Sequence, residues 1–192
     1  MDTTTLTLVA LTVVIAFGIG GLFGATVWRR QRTKKLQGKF GPEYEHIVNE
    51  WGDKREAEHE LAARLEHVNA LDICPLSAEE IESFVSEWWE TQAEFVDEPL
   101  TAVQKADRLI AKVMRAKGYP VEDFEQGAAD ISVSYPDLVM DYRGLHLIAI
   151  KSQGEIVVTE EMRKAMLHGR ALFENLVWSK EAEEVAEKEK VS

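Results

Sequence analysis

An uncharged stretch of 22 residues, Leu6 to Val27, restricts this chain more than any other feature. As a helix it would be about 33 Å long, at about 1.5 Å per residue, which is enough to cross a bilayer core of about 30 Å. A secretory signal peptide instead has positive charges before a shorter apolar run. The segment Met1–Thr5 contains no Lys or Arg. The sequence therefore predicts an uncleaved transmembrane anchor over residues 1–28, with a cleaved signal peptide as the alternative.

A basic segment directly follows the predicted span. Six Lys and Arg residues and no acidic residue occur between Trp28 and Lys39. Positive residues beside a span remain on the cytoplasmic side, and tryptophan is enriched at the membrane interface. We therefore predict a juxtamembrane segment over residues 29–41, an N-terminus facing outward, and a cytoplasmic C-terminal domain attached to the cell membrane. The predicted membrane-interface residues are Trp28, Arg29, Arg30, Arg32, Lys34 and Lys35.

Small residues recur every four positions within the predicted span. Ala16, Gly20 and Gly24 would share one helix face, and two glycines at this spacing allow membrane helices to pack closely. This spacing predicts a homodimer that forms through the span. The alternative is that the glycines reflect only their general frequency in membrane helices.

The remainder of the chain is strongly acidic. The segment Phe40–Ser192 contains 16 basic and 33 acidic residues, which gives a net charge of −17. Such a domain repels phosphate backbones, so we expect no nucleic-acid partner. Cys74 is the only cysteine, which excludes an intramolecular disulfide scaffold.

Helical periodicity dominates this acidic part. Apolar residues recur at helical spacing, for instance at Tyr44, Ile47 and Trp51 and again from Val103 to Met114. Residues typical of helix starts precede these stripes, namely Pro42, Asp53, Ser77 and Pro99. We therefore expect an all-α fold, with a bundle of about six helices. The predicted segments are a charged helical stalk (42–71), a helical domain (72–178) and a disordered acidic tail (179–192). For Leu147–Val158, a β-hairpin with its turn at Gly154 is the alternative.

Signals for chemistry are weak. Glu43-x-x-His46 and Glu56-x-x-His59 have the spacing of carboxylate-bridged metal sites. Glutamate is so frequent here that two such pairs are unremarkable, and we interpret both as solvated helix faces. Cys74 is interpreted as a small buried group. No common nucleotide-binding, metalloprotease or paired-cysteine motif occurs, so we assign no catalytic, cofactor or metal residues and favour a protein without enzymatic activity.

Two groups of aromatic residues are candidates for a partner surface. Of the adjacent pair Trp88 and Trp89, at most one can lie at the centre of the buried stripe, which would leave the other exposed. Tyr119, Phe124 and Tyr135 occur among acidic residues and could form the rim of a groove for a cationic partner. The alternative is that these aromatic side chains pack a short helix against its neighbours.

Several segments resemble an uncharacterised bacterial family of hypothetical membrane or secreted helical proteins. They include KFGPEYEHIV, WWETQAEFVDEP, ADRLIAKVM and TEEMRKAMLHGRALFENL, and the most specific is GYPVEDFEQGAADISVSYPDLVMDYRGLH. The resemblance extends over Lys39–Leu176. It implies a short hydrophobic segment followed by a helical domain, and it implies no catalytic residues. Members of the family tend to carry an aromatic residue at the position of Gly169, which implies a looser last helix in this chain.

These observations favour a membrane-tethered, non-enzymatic helical module that binds a protein partner or associates with itself. An enzyme or small-ligand binder with a pocket in the bundle is the first alternative. A secreted form of the same domain is the second.

Overall fold

The structure is a computed structural model that describes residues 28–151 and 157–178. Every regular element in these two ranges is an α-helix. The helices are α1 (28–40), α2 (Pro42–Trp51), α3 (Lys54–Asn69), α4 (Ala78–Glu94), α5 (Pro99–Ala116), α6 (Phe124–Ser134), α7 (Val139–Lys151) and α8 (Thr159–Val177). The predicted all-α class is confirmed for this part of the chain.

The number and limits of the helices differ in detail from the prediction. Seven helices begin at or after Pro42, because Gly52 adopts a left-handed φ of 69° and separates α2 from α3. Leu147–Lys151 continues α7, so the first strand of the alternative hairpin does not form. None of the helices in the described ranges is long and apolar enough to cross a bilayer. The predicted span Leu6–Val27, Gly154 and the predicted tail lie outside those ranges.

Helix starts follow the signals in the sequence. Pro42 and Pro99 lie in the first turns of α2 and α5, where a missing backbone N–H removes no hydrogen bond. The Asp53 carboxylate caps α3 by accepting from the backbone N–H groups of Arg55 and Glu56. At α4, Ser77 and Glu80 form the complete reciprocal capping box.

Gly118 ends α5 and allows a close backbone crossing. Its φ is 97°, and the N–H of Tyr119 donates to the carbonyl of Met114 at 3.0 Å, as in a Schellman motif. A Cβ atom at Gly118 would lie 2.4 Å from the carbonyl oxygen of Asp72. The chain before α4 therefore crosses the end of α5 at a point that only glycine permits.

The main core surrounds α5, which packs against α4, α7 and α8. Six of its side chains from Val103 to Met114 are completely buried, and they follow the stripe expected from the sequence. Gly169 of α8 faces this core, and a Cβ atom there would lie 3.0 Å from Leu145 of α7. The glycine is thus a point of close helix packing, contrary to the looser helix that the family resemblance implies.

A second, smaller core joins α1, α2 and α3 to α6. Its buried residues are Leu36, Phe40, Tyr44, Ile47, Ala57, Leu61, Val68 and Val133. The predicted juxtamembrane segment is therefore almost entirely helix α1, with its last turn inside the domain. The predicted stalk forms α2 and α3, which pack against the rest of the domain because α3 lies along α6.

Candidate functional site

The six predicted membrane-interface residues lie between Trp28 and Lys35, in the first two turns of α1 that the structure describes. Trp28 is 61% exposed, and the guanidinium carbon of Arg32 lies 5.9 Å from the centre of its ring, a cation–π arrangement. Within the described ranges, Arg29, Arg30, Lys34 and Lys35 form no ion pair with a carboxylate. The exposed end of α1 therefore carries positive charge that the domain does not neutralise.

A groove of about 1320 Å³ separates this end of α1 from the start of α3. Both helices contribute cationic side chains to its walls, together with three carboxylates. The cations are Arg29, Arg30, Arg32, Lys34, Lys54 and Arg55, and the carboxylates are Asp53, Glu56 and Glu58. Its formal charge is thus positive, in contrast to the acidic remainder of the domain.

Glu58 fixes α1 and α2 against α3 at the wall of this groove. Its Oε1 atom accepts from the Thr33 hydroxyl at 2.6 Å and from the Tyr44 hydroxyl at 2.9 Å. Lys54 Nζ lies 3.8 Å away from the same atom. Burial and the Glu58 hydrogen bond raise the pKa of Tyr44, so its phenol remains protonated and donates.

The two adjacent tryptophans on α4 have opposite environments. Trp88 is 4% exposed and stacks on Phe173 of α8 with ring centres 4.7 Å apart. Trp89 is 63% exposed. Trp88 is therefore a core residue and cannot belong to the predicted partner surface, whereas Trp89 is accessible to a partner.

The three aromatic residues near the acidic segment do not form a common groove rim. Tyr119 is buried, and its hydroxyl lies 3.1 Å from that of Ser134. Phe124 and Tyr135 are half-buried and pack against the main core. Structural packing therefore accounts for Tyr119, which cannot form part of an exposed partner surface.

A histidine–carboxylate pair, absent from the sequence analysis, lies beside Phe124. His146 Nδ1 is 3.0 Å from Asp107 Oδ2, and its ring stacks on Phe124 with centres 3.6 Å apart. Burial and then the charge of Asp107 raise the pKa of neighbouring Tyr142. The pair joins α5 to α7 across 39 positions, and no local motif marks such a distant pairing.

Glu43 is fully buried and binds two arginines. Arg143 of α7 donates to both of its carboxylate oxygens at 3.0 Å, and Arg64 of α3 donates to one at 3.2 Å. The prediction that Glu43 lies on a solvated helix face is therefore wrong. One signal could have revealed this, because Glu43 precedes Ile47 by four residues and so shares its buried face.

Asp130 of α6 is the second fully buried carboxylate that the sequence does not identify. Its Oδ1 atom accepts from Gln126 at 2.9 Å, and its Oδ2 atom lies 3.6 Å from His67 Nε2 of α3. Burial raises the pKa of Asp130, whereas the Gln126 hydrogen bond and the positive fields of His67 and Arg64 act in the opposite direction.

The five histidines do not converge. His46, His67, His146 and His168 each lie beside one carboxylate, respectively Glu50, Asp130, Asp107 and Asp141, and His59 lines the groove. In the described ranges, no three His, Cys, Asp or Glu side chains gather to hold a metal ion.

Two further sequence predictions concern Cys74 and the span. Cys74 is exposed, with its sulfur 3.8 Å from the carbonyl oxygen of Ala116, so the interpretation as a buried residue is wrong. The predicted packing residues Ala16, Gly20 and Gly24 lie outside the described ranges, and the homodimer remains a prediction.

No protein-family model, curated protein or solved structure matches this chain. The family resemblance proposed from the sequence segments therefore remains a prediction.

Proposed function

We propose that this protein is a membrane-tethered, non-enzymatic helical module that presents an acidic helical domain to a protein partner beneath the cell membrane. One observation carries the proposal. The part of α1 before Leu36 carries exposed cationic side chains, and the last turn of the helix, with Leu36 and Phe40, is buried in the domain. A segment of this kind connects a membrane anchor directly to a folded body.

Because α1 is continuous helix, it would act as a rigid connection between the membrane anchor and the domain. The described part of α1, residues 28–40, is continuous helix about 20 Å long, at about 1.5 Å per residue. Only Gly41 separates it from α2, and the Glu58 hydrogen bonds hold it against α3. The domain would therefore keep a defined distance and direction from the membrane.

The charge distribution favours one orientation. An anionic cytoplasmic leaflet attracts the cationic end of α1 by about 1 kcal/mol for each nearby Lys or Arg. The same surface repels the segment Phe40–Ser192, which has a net charge of −17. The domain would thus point away from the bilayer, with exposed Trp89 available to a partner.

Reporter fusions to the two ends of the full chain test this proposal in a bacterial host. We expect a C-terminal alkaline phosphatase to be inactive and a C-terminal fluorescent protein to be active in the membrane fraction. A C-terminal phosphatase that is active in the periplasm would contradict the topology. Recovery of the full chain only in the soluble fraction would contradict the tether.

Proximity labelling from native membranes tests the partner. We expect Trp89→Ala to reduce labelling of a specific protein, and Trp178→Ala to serve as a matched exposed control. If both variants label the same proteins as the unmodified chain, α4 is not the partner surface.

A further inference from the structure

We infer that the groove between α1 and α3 is a binding site for a phosphate ester, supplied by the headgroup of an anionic phospholipid. This inference rests on the proposed function, because the groove lies at the end of the domain that the tether would bring to the bilayer. It extends that function from general electrostatic attraction to a defined ligand site.

The groove remains positively charged when the contacts between its own cations and carboxylates are taken into account. Six cationic side chains face three carboxylates. One oxygen of Asp53 is occupied in capping α3, where two backbone N–H groups donate to it. Glu58 is 14% exposed and receives two hydroxyl donors and Lys54. Among the described residues, the exposed side chain of Glu56 forms no hydrogen bond or ion pair, so three carboxylates of which two are engaged face six cations, and an incoming anion meets an excess of positive charge.

The cations come from two separate parts of the sequence. Four of them, between Arg29 and Lys34, belong to the basic segment. Lys54 and Arg55 lie in the first turn of α3, which follows α2 in the chain. Within the described ranges, the Arg55 side chain forms no ion pair. A guanidinium group can donate two parallel hydrogen bonds to phosphate, so Arg55 together with the α1 cations would hold a phosphate from both sides.

The shape of the groove agrees with a headgroup at a membrane surface. Its volume of about 1320 Å³ exceeds the roughly 300–1000 Å³ of enclosed small-molecule pockets. An open groove of this size admits a headgroup from the side while the acyl chains remain in the bilayer. Trp28 lines the same groove and is exposed, as expected for an aromatic residue at the bilayer interface.

Substitutions that each remove one positive charge can distinguish a specific binding site from general electrostatic attraction to the membrane. Arg55→Gln and Lys34→Gln each remove one cation from the groove wall. Arg108→Gln removes an exposed arginine of α5, and Lys164→Gln removes an exposed lysine of α8; neither residue lines the groove or belongs to the basic segment. All four variants change the net charge equally, so a difference between them reports position.

The experiment uses the full chain in lipid nanodiscs. One set contains phosphatidylcholine with phosphatidylglycerol, and native mass spectrometry measures the phosphatidylglycerol that stays bound to the released protein. The second set contains phosphatidylcholine alone, and inorganic phosphate is titrated while Trp28 fluorescence is followed against Trp28→Phe.

We expect retention of phosphatidylglycerol, weakened about tenfold by Arg55→Gln or Lys34→Gln, because a lost charged hydrogen bond costs about one factor of ten or more. The two control variants should change it by less than about twofold. Equal effects of all four variants, or no effect of Arg55→Gln, would overturn the site. Phosphate binding without selective retention of phosphatidylglycerol would overturn the lipid source. Either result leaves the reporter-fusion topology unaffected, so failure of the site and failure of the tether can be distinguished.

Discussion

The body around α5 and the unit formed by α1, α2 and α3 are stabilised in different ways. The body has 22 buried apolar residues in one cluster, whereas the smaller cluster has eight, one of them supplied by α6. The smaller unit compensates with polar contacts, in which Glu43 joins α2 to α3 and α7, and Glu58 joins α1 and α2 to α3. Because a small core contributes little stability alone, the position of the unit depends on these specific contacts.

Removal of the Phe173 ring should produce the largest loss of stability. The side chain is 1% exposed and stacks on Trp88, so Phe173→Ala creates a cavity between α4 and α8. We expect the free energy of unfolding to fall by about 3–5 kcal/mol. Urea denaturation of the full chain in detergent measures this loss. The control is Trp89→Ala on α4, whose side chain is exposed, and a similar loss for both variants would contradict the claim that the buried Phe173 ring stabilises the body.

Glu43→Gln should destabilise the unit formed by α1, α2 and α3 more than the body around α5. The substitution leaves Arg143 and Arg64 without their shared carboxylate, and loss of one partner of a buried pair costs about 3–5 kcal/mol. We expect about 2–3 kcal/mol, because both arginines retain some contact with water.

Hydrogen exchange locates the effect of Glu43→Gln. Amides of α2 and α3 should exchange faster, while those of α5 and α8 should change little. Glu45→Gln, on the exposed side of α2, is the matched control. Equal acceleration in α5 and α3 would show that the two regions unfold as one cooperative unit.

The sequence predicts features that depend on local spacing, but not contacts between residues that are distant in the chain. The stripe of α5 and the capping residues Ser77 and Asp53 depend on local spacing, and the structure contains them as expected. The spacing to Ile47 indicates that Glu43 is buried, but its partner Arg143 lies 100 positions away, and local periodicity carries no information about that pairing. The positive charge of the basic segment follows directly from the sequence. The groove does not, because it forms only where α3 lies beside α1.

The smallest expected effect concerns Asp130, which lies between the two regions. Burial raises its pKa above the usual value of about 3.9. Between the usual and the raised value, the folded protein retains a proton that the unfolded chain has released, so the free energy of unfolding falls as the pH rises through this window.

Asp130→Asn keeps an acceptor for Gln126 and removes the titration. Urea denaturation over a series of pH values should therefore give a flatter profile for this variant in the range above the usual pKa of an aspartate. Asp97→Asn, an exposed control, should retain the slope. An unchanged slope in Asp130→Asn would mean that the fields of His67 and Arg64 offset the burial, and that α3 stabilises the charged form of this carboxylate.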